Sequence, residues 1–137
     1  EILEDVKHSD PFPTGDERIL FVDDEYPLVK IGKMILERLG YEVVTRTSSV
    51  EALELFRRNP TRFDLVITDM TMPNMTGDQL AIALLDIRPD VPIILCTGYS
   101  EKITSDRTKD IGIKSFIMKP IVIRELSGVI RNVLDGN

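Results

Sequence analysis

The residues best suited to chemistry in this chain are three aspartates that follow two short apolar runs. Asp23 and Asp24 come directly after residues 19–22, and Asp69 comes directly after residues 65–68. If both runs are strands of one parallel sheet, the three carboxylates meet at its carboxyl edge, where such folds bind ligands. Crowded carboxylates repel one another unless a cation lies among them, and Mg2+ prefers carboxylate, water and phosphate oxygens. The pattern therefore predicts a magnesium site.

Asp69 is also placed to act as a nucleophile. It leads into residues 70–77, a loop whose Pro73 and Gly77 suit an abrupt turn from strand to helix and would expose the carboxylate. A carboxylate beside a cation can attack a phosphoryl group and form an acyl phosphate. A lone aspartate at a strand end is usually a helix cap or a turn residue, but the nearby acidic pair favours the chemical role.

Two further strand ends carry groups that phosphoryl transfer uses. Thr97 follows residues 92–96, and Lys119 follows residues 115–118. Such transfer depends on positioning and charge stabilisation, so a hydroxyl and an ammonium group facing the phosphoryl oxygens are the expected helpers. Considered singly, each residue has an equally good structural explanation. Thr97 fits a helix cap, and Lys119 fits a solvated charge.

Other phosphate chemistry has no support in the sequence. No GxxxxGK[ST] or GxGxxG motif is present, and the single histidine, His8, precedes the expected domain. Any phosphoryl group must therefore come from another molecule.

Apolar runs and helical segments alternate along the chain. The expected strands are residues 19–22, 41–45, 63–68, 92–96 and 115–118. Apolar residues recur at helical spacing in four other segments: Leu28, Ile31, Ile35 and Leu39; Ala52, Leu55 and Phe56; Leu80, Leu84 and Ile87; Leu126, Val129, Ile130 and Val133. A more polar helix is expected around residues 104–111. This alternation predicts an α/β fold: a doubly wound, five-stranded parallel sheet of flavodoxin-like (βα)5 type, with strand order 2-1-3-4-5.

Local signals also predict element and domain boundaries. Ser48 with Glu51 matches a capping box, and Gly40 suits a left-handed residue at the end of the first helix. Residues 1–16 are acidic and interrupted by prolines, which indicates a linker or tail, so we expect the domain to occupy residues 17–137.

The composition excludes several classes of protein. A chain of 137 residues, 42% hydrophobic and 29% charged, is typical of one globular domain. The net charge of -6, without a Lys and Arg cluster, argues against direct nucleic-acid binding. The single cysteine, Cys96, rules out an internal disulfide, favours the cytoplasm, and is expected to be an inert core thiol. No apolar stretch is long enough to cross a membrane, so we expect no membrane contact.

Together these positions resemble the receiver domain of two-component response regulators. The resemblance covers residues 17–134 and rests on four groups in the expected order: Val22-Asp23-Asp24-Glu25, Ile67-Thr68-Asp69-Met70-Thr71-Met72-Pro73, Thr97-Gly98 and Lys119-Pro120. It implies that Asp69 is the phosphoacceptor. It also implies that Asp24 and Asp69 bind Mg2+ with the backbone carbonyl of Thr71, and that Asp23 assists through water.

The resemblance further implies a switch and a partner. Thr97 and Lys119 would hold the phosphoryl oxygens and report their arrival. The aromatic switch residue is often tyrosine in this family but is Phe116 here, so its coupling to Thr97 would rest on packing alone. The donor would be a histidine kinase or a histidine phosphotransfer protein. The chain itself would be a monomer or weak dimer and no enzyme beyond slow self-dephosphorylation.

The segment before the first strand suggests a wider context. Residues 11–20 resemble the join that precedes the C-terminal receiver of hybrid sensor histidine kinases, and the chain begins at Glu1 without a methionine. We therefore expect a piece of a longer protein.

Two other functions are compatible with an acidic site. A metal-dependent phosphatase of the haloacid dehalogenase type also uses an aspartyl nucleophile and Mg2+, but its pattern places the nucleophile in Asp-x-Asp after the first strand. An interaction module with an inactive acceptor site is disfavoured because all five site residues are present: Asp23, Asp24, Asp69, Thr97 and Lys119.

Overall fold

A computed structural model of the protein describes residues 12–98 and 110–136, which form a parallel sheet flanked by helices. The elements are β1 (Arg18–Val22), α1 (Tyr26–Arg38), β2 (Glu42–Arg46), α2 (Ser49–Arg58), β3 (Leu65–Asp69), α3 (Gly77–Ile87), β4 (Ile93–Thr97), β5 (Ser115–Met118) and α4 (Ile123–Asp135). The strands pair in parallel in the order β2-β1-β3-β4-β5. The predicted doubly wound α/β fold is therefore confirmed. His8 and all but the last two residues of the helix expected at 104–111 lie outside the described residues.

The sheet separates two apolar layers. On β1, Ile19 and Phe21 pack in the layer that contains buried residues of α1 and α4, whereas Leu20 and Val22 pack in the layer of α2 and α3. Every residue of β3 and β4 is buried, as expected for central strands covered on both faces. None of the helices within residues 12–98 and 110–136 has the length and apolar character needed to cross a bilayer.

Helix α1 buries only some of the apolar residues that recur in it at helical spacing. The buried residues of the helix are Val29, Gly32, Ile35 and Leu36. Of the four apolar residues at helical spacing, Ile35 and Leu39 are 5% and 4% exposed, whereas Leu28 and Ile31 are 37% and 44% exposed. The ring of Phe21 lies so close to Gly32 that a Cβ there would overlap it. The absent side chain lets this face of the helix approach the sheet and turns Leu28 and Ile31 outward.

Two predicted helix boundaries are confirmed. The Ser48 hydroxyl accepts a hydrogen bond from the Glu51 backbone N–H at 3.2 Å, at the start of α2. Gly40 follows α1 with φ of 104°, in the left-handed region that favours glycine. A Cβ on Gly40 would also overlap the backbone oxygen of Gly15, so the turn needs glycine for a second reason.

Residues 12–17, here called the N-terminal strap, pack against the domain. Phe12 contacts the apolar layer that α1 and α4 share, and the Arg124 guanidinium lies over its ring at 5.2 Å from the centroid. The Gly15 backbone N–H donates to the Leu39 carbonyl at 3.1 Å. The strap therefore joins the end of α1 to the face of α4.

Arg131 of α4 is the main polar anchor of the strap. Its Nη1 and Nη2 donate to the two carboxylate oxygens of Glu17 at 2.8 and 3.0 Å. Nη1 also donates to the Tyr41 hydroxyl at 3.3 Å, and Nη2 donates to Asp135 Oδ1 at 2.6 Å. The hydrogen bond from Arg131 lowers the pKa of Glu17 below its ordinary value.

We expect Arg131→Gln to lower the free energy of unfolding at pH 7 by about 1.5 kcal/mol, because hydrogen bonds to charged groups contribute about that much. Since the folded-state pKa of Glu17 is depressed, its contribution is present above the ordinary pKa of 4.5 and is lost as the pH falls through the folded value. The measurement is urea unfolding of the unaltered protein and of Arg131→Gln between pH 7 and pH 3. It gives the difference in their free energies of unfolding at each pH.

The matched control is Arg57→Gln in the last turn of α2, where the side chain is exposed and the loss should stay below about 0.5 kcal/mol. A loss for Arg131→Gln that does not shrink as the pH falls would contradict the assigned role of the Glu17 pair.

Candidate functional site

Four strands of the sheet deliver polar side chains to one edge. Asp23 directly follows β1, Asp69 and Thr97 are the last residues of β3 and β4, and Lys119 directly follows β5. All four strands run parallel, so these residues share the carboxyl edge of the sheet. The structure thus places these strand-end residues along one edge, and side-chain contacts join Asp23, Asp69 and Lys119, whereas the Thr97 hydroxyl contacts Met118.

Three carboxylates form a cluster at this edge. One oxygen from each of Asp23, Asp24 and Asp69 lies within 4.8 Å of the others. Asp23 and Asp69 are only 2% and 6% exposed, while Asp24 faces solvent. The cluster is therefore buried on one side and open to small ions on the other.

Lys119 places a positive charge against the cluster. Its Nζ lies 2.7 Å from Asp69 Oδ1 and 3.2 Å from Asp23 Oδ2. Partial burial lowers the pKa of Lys119, but the hydrogen bond to Asp69 and the charges of Asp23 and Asp69 outweigh it and raise the pKa well above its ordinary value. Counting these four groups alone, one ammonium against three carboxylates leaves two formal negative charges, which a divalent cation would neutralise.

Backbone N–H groups make hydrogen bonds that fix Asp23 and the start of the Lys119 segment. The Glu25 N–H donates to Asp23 Oδ1 at 3.0 Å, just before α1 begins. The Lys119 N–H donates to the Thr97 carbonyl at 2.7 Å, which extends the β4–β5 pairing by one residue. The first bond orients the Asp23 side chain, and the second fixes the backbone from which the Lys119 side chain extends.

The loop that follows Asp69 folds back against the end of β3. The Met70 carbonyl accepts a hydrogen bond from the Gly77 N–H at 2.8 Å and so closes the loop. A Cβ on Gly77 would overlap the backbone oxygen of Asp69, which explains why this turn needs glycine. Thr71, two residues beyond Asp69, is exposed to solvent in this loop.

Thr97 makes a contact that sequence reasoning missed. Its hydroxyl donates to the sulfur of Met118 at 3.5 Å, and the two residues are register partners on β4 and β5. Thr97 is 2% exposed and Met118 is 40% exposed. Phe116, two residues earlier on β5, is partly buried against the layer of α2 and α3. Met118 could have been identified as the partner of Thr97 only from the register of β4 and β5, which the sequence does not reveal.

An apolar groove opens beside the cluster. It has a volume of about 360 Å³ and lies between Leu28 and Ile31 of α1 and Ile121 and Leu126 around the start of α4; Asp23 and Lys119 also line it. We call it the α1–α4 groove. Leu28 and Ile31, two exposed apolar residues of α1, therefore form a wall of this groove.

Cys96 takes no part in the site chemistry. It is 2% exposed on β4, and burial raises the pKa of its thiol to about 12. A protonated, enclosed thiol is unreactive, as the sequence predicts.

Comparisons with known proteins agree with this geometry. The sequence pattern of the response regulator receiver domain family matches residues 19–131. The two-component response regulator ARR10 of Arabidopsis thaliana is 34% identical over 131 residues, which are 96% of this chain and 23% of that protein. The response regulator ORR22 of rice, Oryza sativa, is 34% identical over 93% of this chain and 18% of its own length. The chain spans less than a quarter of these relatives.

Solved structures show the same likeness. A response regulator receiver domain protein from Clostridium thermocellum superposes with a TM-score of 0.83 and 32% identity, covering 88% of this chain and 95% of that one. A CheY-like receiver domain protein from Methanospirillum hungatei gives a TM-score of 0.80 and 34% identity, covering 89% and 96%.

We expect Gly77→Ala to destabilise the protein by about 1–3 kcal/mol, because the added methyl group must displace the backbone beside Asp69. The matched control is Gly128→Ala within α4, where a Cβ meets nothing within 4 Å and alanine favours the helix by up to about 1 kcal/mol. Urea unfolding of the two variants should move the midpoints in opposite directions. Equal midpoints would show that the turn tolerates a side chain.

Proposed function

Because the chain belongs to the response regulator receiver domain family, whose members act as phosphoacceptors in two-component signal transduction, we propose that Asp69 is the residue that accepts the phosphoryl group. The observation that carries this proposal is the contact of Asp69 with Lys119 inside the acidic cluster at the sheet edge. At this position the Asp69 carboxylate lies beside the Lys119 ammonium group and beside carboxylate oxygens of Asp23 and Asp24, which are suited to a metal ion.

The proposed reaction is transfer from a phosphohistidine. A carboxylate oxygen of Asp69 attacks the phosphorus atom, the phosphorus–nitrogen bond breaks, and the leaving imidazole takes up a proton. Lys119, 2.7 Å from Asp69, offers positive charge to the phosphoryl oxygens, and the Thr97 hydroxyl offers a hydrogen bond. The product is an acyl phosphate on Asp69.

The acidic cluster fits Mg2+ as the resident ion. Octahedral Mg2+ holds its oxygens at about 2.1 Å, which places ligand oxygens about 3 to 4.2 Å apart. The oxygens of Asp23, Asp24 and Asp69 lie within 4.8 Å of one another, close to that spacing. We propose that Asp24, Asp69 and the backbone carbonyl of Thr71 hold the ion and that Asp23 assists through water. When bound, Mg2+ would neutralise charge on the phosphoryl oxygens.

We propose that the α1–α4 groove receives the donor, a histidine kinase or a histidine phosphotransfer protein. The groove shares Asp23 and Lys119 with the site, so a protein that brings a histidine to Asp69 must also cover it. Its walls include the exposed apolar side chains of Leu28 and Ile31, which a partner can bury.

The response to phosphorylation is proposed to use Thr97 and Phe116. A turn of the Thr97 hydroxyl towards the phosphoryl group would open space that the Phe116 ring can fill by packing alone. The comparisons do not support the haloacid dehalogenase alternative. Consistent with this, Asp69 ends the third strand of the sheet and not the first.

The wider context of the domain is also proposed. The join before β1 supports a place as the C-terminal receiver of a hybrid sensor histidine kinase. The buried single thiol and the net charge of -6 support a cytoplasmic domain, monomeric or weakly dimeric, without direct nucleic-acid contact.

Asp69→Asn should abolish labelling by a small phosphodonor such as acetyl phosphate, because the amide is no longer a nucleophile. In the unaltered protein, chelation of Mg2+ should slow labelling by about 100-fold or more, the loss expected when charge stabilisation is removed. The measurement is transfer of a radioactive phosphoryl group, with hydroxylamine release as the mark of an acyl phosphate.

The control is Asp86→Asn on the exposed face of α3, which should label like the unaltered protein. Labelling of Asp69→Asn at the normal rate would refute the assignment of the acceptor. Rapid turnover of a phosphate ester would instead revive the phosphatase alternative.

Ile31→Asp should slow transfer from a protein phosphodonor by about tenfold or more, because a charge in an apolar contact is costly, while labelling by acetyl phosphate stays unchanged. Ile82→Asp on α3 is the matched control, since Ile82 is 50% exposed and lies in a helix of the opposite layer. Equal rates for the two variants with the protein donor would exclude the groove as the docking surface.

A further inference from the structure

We propose that Met118 positions the Thr97 hydroxyl, and that oxidation of its sulfur by a peroxide reduces the response of the domain to phosphorylation. The inference rests on the proposed function, in which Asp69 accepts the phosphoryl group and Thr97 binds it. It assigns a role to a contact that this function leaves unused.

The geometry places Met118 where it can control Thr97. The two residues are register partners at the ends of β4 and β5, so their side chains leave the same face of the sheet. The hydroxyl donates to the sulfur at 3.5 Å. Thr97 is 2% exposed, so solvent gives its hydroxyl little alternative.

The strength of this bond decides how readily Thr97 responds. A hydroxyl has one proton to donate, and a thioether is a weak acceptor. The charged oxygens of a phosphoryl group form much stronger hydrogen bonds. A phosphoryl group on Asp69 should therefore draw the Thr97 hydroxyl away from Met118 at little cost.

Oxidation changes this balance. The Met118 sulfur attacks the peroxide oxygen, the oxygen–oxygen bond breaks, the sulfur gains one oxygen, and the peroxide is reduced to water. The resulting sulfoxide presents a strongly polar oxygen in place of the weak sulfur acceptor. Thr97 would then be held more tightly in its present position and would compete less well for the phosphoryl group.

The surroundings make Met118 accessible to this chemistry. It is 40% exposed, whereas Met72 is 5% exposed and shielded. Met34 is 56% exposed on α1 and serves as an oxidisable control remote from Thr97. Cys96, the single thiol, is buried and protonated, so it does not confound a mild peroxide treatment.

The experiment treats the unaltered protein, Met118→Leu and Met34→Leu with dilute hydrogen peroxide. Peptide mass spectrometry measures sulfoxide at each methionine, and NMR follows the Thr97 methyl signal before any phosphodonor is added. The rate of labelling by acetyl phosphate with Mg2+ is then measured. A methionine sulfoxide reductase reverses the oxidation as a further arm.

We expect oxidation to shift the Thr97 methyl signal and to slow labelling about fivefold in the unaltered protein and in Met34→Leu, as a hydrogen bond stronger by about 1 kcal/mol would do. Reduction should restore the rate. Met118→Leu should label at least as fast as the unoxidised protein and should not respond to peroxide.

Two results would overturn the inference. One is complete oxidation of Met118 with the Thr97 signal and the labelling rate unchanged, and the other is equal inhibition of Met118→Leu. Absence of labelling before any oxidation would count against the proposed function instead. In that case the Thr97 methyl signal, recorded without phosphodonor, still decides whether Met118 positions the hydroxyl.

Discussion

The site depends on holding like charges together at the edge of a hydrophobic sheet. Burying Asp23 and Asp69 is costly unless each carboxylate is paired and hydrogen-bonded. Lys119 pairs with both, and the Glu25 N–H serves Asp23, but Asp24 adds a charge that this cation does not balance. The remaining negative charge favours a divalent ion, and the Lys119 ammonium favours the phosphoryl group. In the proposed function, this repulsion would be relieved by the bound cation and would therefore favour its binding.

The sheet separates the groove proposed for donor docking from the layer that contains Phe116, the residue proposed for the response. The α1–α4 groove lies on the side of α1 and α4, where a donor can approach Asp69. Phe116 packs in the other layer, with α2 and α3. If the donor binds in the groove and the response uses Phe116, as we propose, delivery and response would involve different surfaces of the domain. A partner in the groove would then not have to leave before the other face changes.

The sequence predicts the fold and the meeting of the strand-end residues because both follow from local pattern. Alternating apolar runs specify the parallel sheet, and parallel strands bring Asp23, Asp69 and Lys119 to one edge. The exposed positions of Leu28 and Ile31 were not predictable, since they depend on a glycine in α1 that meets an aromatic ring of β1. The contact between Thr97 and Met118 depends on register between strands and has no local signal. The roles of these residues remain predictions.

The N-terminal strap affects how a phosphoryl donor would reach the domain. Arg131 and Phe12 hold residues 12–17 on the face of α1 and α4, the layer that also carries the α1–α4 groove. A donor domain joined through the strap would thus be tethered on the side where we propose that it binds. A short tether gives an effective concentration in the millimolar range, so an interface with a dissociation constant well below that range would be occupied most of the time. Such a domain would favour its own tethered donor over free competitors without needing a tight interface.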